Sequence, residues 1–526
     1  MNRLKNNCPS NFCLPWLLAM VSLLMVSAQC ARGQVTDTLY LEGIQIYATP
    51  ISAFGSGARI TTIDSANLSL YQSQGVSAAI AATTPIYIKS YGNGMLSSIS
   101  FRGTSASHTS VRWHGVDIGY PMLGQSDLSV LPIFLNPKVT LQHGSSSSLY
   151  GSGAIGGSVN LENYSPREGW TASLTQEFGS FSSSFTGGQI SFANRLVATE
   201  FKGFYTSSAN NFTFQNVTLP NAPVEEQENA DYRGGGASME TRINLAKHGL
   251  LKLAGQYVFF DRGLQPSMNA STVADRQEDE SLRGVVSYTL AKQHFNLEIK
   301  YLHLLDNISY NEQNTIANQD AIFANFEAQL GKIWSYQVGT QMKFIQVDSP
   351  FLVDSLANES RMAVFGSWKL ETARWQASIN ARQTFIQDYS VPFTPSIGGE
   401  YLRLKRPGHF LSIKGLAAFG YRVPTINDRF WQPGGNINLE PEQSFSTELG
   451  LVGKGGQEVQ FDYELTGFSM WVEDWILWLP GESYWSPQNI RSVRSSGLET
   501  RAALTYPMGG LSMSWVGTYS YTRSIN

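Results

Sequence analysis

The chain has 526 residues, a formal net charge of −4, 15% charged and 12% aromatic residues, and 48 glycines. That balance gives no basic footprint for nucleic acid, and the charged fraction falls below the roughly 25% of soluble domains. After the N-terminal segment no run of about 20 apolar residues occurs, so spanning helices are excluded and only a closed β-barrel would cross a bilayer.

The first 33 residues read as a secretory signal peptide. Arg3 and Lys5 give a basic start, Phe12 to Ala28 an apolar core broken by Pro15, and Ala31-Arg32-Gly33 the small residues of a cleavage site. The mature chain is expected to begin near Gln34. Gln29 before Cys30 argues against a lipoprotein, because a small residue normally precedes the lipidated cysteine. All three cysteines, Cys8, Cys13 and Cys30, lie in this segment, so the exported chain is expected to lack disulfides and thiolate metal sites.

Residues 34–165 read as a mixed α+β unit. Leu39 to Ala48 has strand character, and Asn67 to Pro85 contains a short helix that ends before the proline. Strands follow in "IYIKSYGNGMLSSISFRG" and "SVRWHGVDIG", with Gly and Asn turns between them. From about Trp170 the pattern changes to alternation in runs of about ten residues. Phe295, Leu297, Ile299 and Tyr301 share one face and Asn296, Glu298 and Lys300 the other. "WQASINAR" and "VQFDYEL" repeat the pattern, and "MWVEDWILWLP" has the aromatic density of an interfacial girdle. A soluble sandwich gives the same alternation strand by strand. Repetition over some 350 residues behind a signal peptide favours a membrane barrel with its polar faces inward.

The glycine-dense stretch "LYGSGAIGGSVNL", Leu149 to Leu161, interleaves its glycines with apolar residues as a packed segment does, and no helix pattern follows its GxGxxG to suggest a phosphate loop. The stretch resembles the end of the plug domain in TonB-dependent outer-membrane receptors. Phe101-Arg102-Gly103 and Gly115-Val116 resemble the family's Ile-Arg-Gly … Asp-Gly-Val segment. Arg422, Pro424, Thr425, Asn436, Asn438, Leu439, Pro441, Glu442, Ser444 and Glu448 match its barrel signature, and Asn489, Gly497 and Glu499 the next one. Within the family, "FRGTSASHTSV" and "GQSDLSVLPI" look most like cobalamin receptors.

The resemblance implies an N-terminal α+β plug, residues 34–165 with the coupling box, inside a transmembrane antiparallel β-barrel formed by residues 166–526. About 22 strands are expected in a complete member. Here about 17 fit the length, and the last few are expected to be missing from a C-terminally truncated sequence. The implied activity is import of a scarce bulky nutrient energised by TonB with ExbB–ExbD. A corrinoid is the first reading and a ferric siderophore or haem the second; a passive porin or a surface adhesin is a weaker one. The implied coupling residues are Asp37, Thr38, Leu39, Ile44, Ile46 and Ala48, the second half of which reads equally as a plain first plug strand. Implied ligand contacts on the apical plug loops are Tyr91, Asn93, Met95, Tyr120, Met122 and Gln125. Arg102, Gly103, Tyr150, Gly151, Gly156 and Gly157 are implied structural plug residues, with Arg102 as the buried plug cation. Outer-membrane lipid and, for some members, a surface lipoprotein are further implied partners; nucleic acid is not.

Two positions depart from the family pattern. His114-Gly115-Val116 stands where many members have Asp-Gly-Val, and Thr140, His143, Gly144 and Ser145 where they have Glu-x-x-Arg-Gly-Pro. His108, His114 and His143 are expected to hydrogen-bond within strands and turns, because no metal-ligand spacing connects them. No catalytic constellation, cofactor or metal site is expected.

Overall fold

The computed structural model describes residues 53–526 apart from 270–274, 388, 407, 457–458 and 510. The expected signal peptide, the Leu39–Ala48 strand and every coupling residue lie outside the described residues.

The first folded unit is built on a five-stranded sheet: β1 (Ile60–Thr62), β4 (Thr109–Trp113), β5 (Val116–Asp117), β6 (Lys138–His143) and β7 (Gly157–Glu162), in the order β1-β6-β7-β4-β5. β4 and β7 run parallel, and the other neighbours are antiparallel. A separate hairpin joins β2 (Tyr87–Ser90) to β3 (Ser97–Ser100). The segment read as one helix forms two, α1 (Ser65–Ser69), capped by the Asp64 carboxylate on the Ala66 N–H, and α2 (Val76–Thr83). Gly75 stands between them. α2 buries Val76, Ala79 and Ile80, at the helical spacing that puts such residues on one face.

Around this unit, among the described residues, seventeen strands form a barrel, beginning with Gly169–Gly179 and ending with Leu511–Ile525. The count agrees with the strand number expected from length. Alternation decides which side chain faces where. Trp375 and Ile379 are 54% and 56% exposed on the outer face, whereas Ser378, Asn380 and Arg382 between and beside them are buried on the inner face. One rim carries tight turns such as 194–196. The other carries the longer connections 209–231 and 423–441, the second holding a short helix, α4 (Ile426–Phe430), which follows the plug's α3 (Ser147–Tyr150) in chain order.

The inner face is not uniformly polar. Ala254, Val285, Leu302, Leu304 and Ala321 point inward and join one core with Ile80, Ile99, Val111, Trp113 and Leu161 of the plug. Lumen positions are apolar wherever the plug presents an apolar surface, since burying a polar group there without a partner would cost about 1–3 kcal/mol.

Candidate functional site

Phe101-Arg102-Gly103 forms the tight turn after β3, with Arg102 at φ 54° and Gly103 at φ 77°. A left-handed non-glycine residue is strained, and such strain persists where surrounding contacts over-determine it. Here they do. The Arg102 guanidinium meets the Glu448 carboxylate twice, Nη1 to Oε1 at 2.8 Å and Nη2 to Oε2 at 3.1 Å, and Nη2 also donates to Glu499 Oε2 at 3.0 Å. Its backbone carbonyl accepts from Ser495 Oγ at 2.5 Å, and its guanidinium lies 4.5 Å from the centre of the Phe468 ring. Burial alone would lower the Arg102 pKa. Glu448 and Glu499 more than reverse this, so it stands above the ordinary arginine value.

Two further plug cations or polar groups converge on the same carboxylates. Arg59 Nη1 reaches Glu499 Oε2 at 3.2 Å and its Nε lies 3.6 Å from Glu464, while His143 Nδ1 sits 3.2 Å from Glu499 Oε1. Lys414 completes the wall side through Glu464. Gly144 admits this arrangement: it sits at φ 75°, and a Cβ there would lie 1.8 Å from Glu448 Oε1. The glycine-dense stretch is required by close approach too. A Cβ on Gly156 would fall 2.3 Å from Thr104 Oγ1, and one on Gly157 2.6 Å from the Gln142 carbonyl oxygen.

A second buried latch joins plug to wall nearer the long-loop rim. His108 Nε2 and Glu442 Oε2 are 2.5 Å apart, and the Ser105 N–H donates to His108 Nδ1 at 3.3 Å, which assigns the ring proton to Nε2. Arg422 holds the same carboxylate bidentately at 2.6 and 3.1 Å and also donates to Asp428 at 3.2 Å. Asp428 belongs to α4, where it forms a capping box with Thr425. The α4 N–H groups of Ile426 and Asn427 donate to the Pro121 and Met122 carbonyls of the plug. Trp475 stacks edge-on against His108 at 4.5 Å, and Trp478 donates its indole N–H to Asp428. The expected girdle in "MWVEDWILWLP" is therefore partly redirected. A register shift between Val472 and Ile476, with Asp474 at φ 56°, aims two of its tryptophans at this latch instead of lipid.

The three histidines sit on carboxylates. His114, at φ 49° in the β4–β5 turn, is buried with Lys252 Nζ at 3.0 Å and Glu240 at 3.5 Å. Burial, and then Lys252, push its pKa well below the ordinary value; burial also lowers that of His143 against the pull of Glu499. Among the described residues no group of three or more His, Cys, Asp or Glu side chains is disposed to hold a metal ion.

The apical candidates fall into two groups. Tyr91 is exposed at the β2–β3 turn; Asn93 Nδ2 donates to Tyr232 Oη at 3.2 Å, and Met95 is buried beside them. Tyr120 and Met122 pack instead into an apolar cluster with Ala317, Ile345, Val347, Leu352 and Ile426, and the Tyr120 N–H donates to the Gln125 carbonyl at 3.0 Å. Met122 is thus covered by the wall, whereas Tyr91 faces solvent. The lock's other members, Arg59, Glu464 and Lys414, have no motif of their own. Their one signal in the sequence is charge at an inward-facing strand position, which demands a partner of opposite sign.

Residues 52–158 match the TonB-dependent receptor plug domain, and residues 127–526 match the family described as TonB dependent receptor-like, beta-barrel. The chain belongs to the TonB-dependent receptor family, an outer-membrane family of receptors and transporters. It is 22% identical over 461 residues to the vitamin B12 transporter BtuB of Photobacterium profundum, covering 86% of this chain and 74% of that protein. Among solved structures it resembles the FrpB iron transporter of Neisseria meningitidis, with TM-score 0.73, 13% identity and coverage of 89% of this chain and 80% of that one. The siderophore receptor PirA of Pseudomonas aeruginosa resembles it with TM-score 0.71, 13% identity and coverage of 88% and 85%.

Proposed function

We propose that this receptor actively imports a corrinoid such as cobalamin, with TonB, driven by ExbB–ExbD, pulling on Asp37 to Ala48 to displace the plug. The observation that carries the importer reading is the lock. A plug held by a few buried ion pairs seals the lumen at rest, yet its contacts can be exchanged for water when force is applied. The corrinoid reading is supported by the name of the BtuB relatives and by the apical loops. Tyr91, Tyr120 and Met122 offer apolar contact and Asn93 and Gln125 hydrogen bonds, the mixture that suits a large amphipathic ligand. Met95 supports the first loop from beneath. In this reading α4 must lift before Met122 meets ligand. A surface lipoprotein is an optional partner, and the plug, residues 34–165, and barrel, 166–526, divide the labour between coupling and passage. A ferric siderophore or haem is the second reading, favoured by the siderophore receptors among its structural neighbours.

Binding of cyanocobalamin and of ferric chelates to the purified receptor in detergent tests the choice. Tyr91→Ala with Tyr120→Ala is expected to weaken cyanocobalamin binding about tenfold, roughly 1.4 kcal/mol. A receptor that binds a ferric chelate and no cyanocobalamin sinks the corrinoid reading. Leu39→Pro or Ile46→Pro is expected to abolish uptake with binding intact, because proline removes a donor that strand addition to a partner needs; uptake unchanged in both moves the box elsewhere.

A further inference from the structure

Away from the lock, the plug stands off the first wall strands and leaves two clefts, one above the other. The upper, of about 660 Å³, lies at the long-loop end between α2, the β2–β3 turn and strands Gly169–Gly179 to Leu250–Gly263. The lower, of about 440 Å³, lies toward the tight-turn end and is lined by Thr171, Ser173, Thr175, Gln189, Glu200 and Lys202 of the same strands. Gln72 lines both.

Two contacts separate them. Gln72 Nε2 on the plug donates to Glu177 Oε1 on the wall at 3.3 Å. Beside that hydrogen bond Phe134 of the plug packs on Phe185 and Phe204, with ring centres 5.6 and 6.5 Å from its own. Phe185 and Phe204 line the upper cleft, and Phe134 the lower, so this aromatic trio is the floor of one and the roof of the other. One hydrogen bond to a carboxylate and two plug–wall ring contacts are a weak partition compared with the lock.

The upper lining is chemically specific. Serines 77, 90, 97, 129 and 183 and the Asn93 amide supply neutral donors and acceptors, Phe260 and Tyr232 supply flat apolar surface, and Glu177 is its one carboxylate among the described residues. Neutral hydroxyls and amides beside rings match cargo rich in uncharged amide or hydroxyl groups that also carries a flat face. They offer no counter-charge to a strongly anionic one.

We propose that the two clefts are consecutive stations of one passage between plug and wall, taking uncharged amide- or hydroxyl-rich cargo, and that Gln72–Glu177 with Phe134, Phe185 and Phe204 forms its gate. The plug then yields first along this side, ahead of the lock on the other. The inference rests on the importer reading, and its test separates the two.

In cells, Gln72→Cys with Glu177→Cys is bridged by a short bis-maleimide. Relative to the same double variant left unbridged, cyanocobalamin uptake is expected to be lost while cyanocobalamin binding persists. Uptake by the bridged receptor at the unbridged rate overturns the passage. If the unmodified receptor binds no cyanocobalamin, the corrinoid reading fails and planar-bilayer conductance decides the passage alone. The parent is expected to be silent, and Gln72→Ala with Phe134→Ala to conduct ions. Conduction is expected to fall at least severalfold when Ser173→Cys, added in the lower cleft, is modified with a bulky maleimide. A double variant as tight as the parent, or conduction indifferent to modification at position 173, overturns it.

Discussion

The plug meets two sectors of the wall by different physics. Toward strands Glu442–Gly455 and Trp485–Met508 the contact is ionic and hydrogen-bonded: Arg59 and Arg102 pair with Glu448 and Glu499, and His108 and His143 lie against Glu442 and Glu499, all buried. Toward strands Leu250–Gly263, Arg276–Ala291, Phe295–Tyr310 and Gln313–Leu330 it is mainly apolar, through Ala254, Val285, Leu302, Leu304 and Ala321, together with the buried Arg262–Asp127 ion pair and the His114–Lys252 contact. Removing one partner of a buried ion pair strands the other charge, whereas trimming an apolar side chain loses area and leaves a cavity. The ionic sector is therefore all-or-none, and the apolar sector yields by degrees. A plug that must hold at rest and release under load uses the first as its catch and the second as a sliding surface.

The largest effect is expected at Glu499, which serves Arg59, Arg102 and His143 together. Glu499→Ala should destabilise the plug by about 3–5 kcal/mol. Limited proteolysis of the folded receptor measures it, with new cleavage expected in plug segments and the barrel intact. Plug resistance equal to the parent's would show that the ionic sector is no catch. A smaller, graded loss of about 2–4 kcal/mol is expected for Leu302→Ala in the apolar sector, read as a lower thermal midpoint without selective plug cleavage. If the two variants gave the same proteolytic pattern, the distinction between the sectors would collapse.

Much of this was legible before the structure. Alternation assigns inner and outer faces for Trp375 to Arg382, and the resemblance of Phe101-Arg102-Gly103 to the family segment points to Arg102 as the buried cation. The signature residues Glu442, Glu448 and Glu499 could be picked out, but their partners could not. Arg59 and Glu464 stand near opposite ends of the sequence and meet only because the plug folds inside the wall. Thr140 and His143 stand where the family pattern has Glu and Arg and leave that stretch short of charge. Arg59 supplies that charge from another strand end, a compensation no local window contains. Trp475 and Trp478 depart from the girdle reading for a different reason: aromatic density does not show a bulge, and the bulge here turns both toward the latch.

The smallest expected effect is in pH, through two buried plug histidines. His143 in the ionic sector has its pKa lowered chiefly by burial, with Arg59 and Arg102 adding to this and Glu499 opposing it. In the unfolded chain a histidine titrates near 6.5. Below that value the unfolded state takes up a proton that the folded state refuses, so this histidine's share of stability is intact above about pH 6.5. It declines as pH falls toward the folded value. His114, lowered by burial and Lys252, acts in the same sense. Thermal midpoints of the parent are thus expected to fall more steeply between pH 7 and 5 than those of His143→Gln with His114→Gln. Leu302→Ala should lie below the parent throughout with an unchanged slope, because no titrating group is lost. Parallel curves for the parent and the double histidine variant would place the acid sensitivity in groups other than these two.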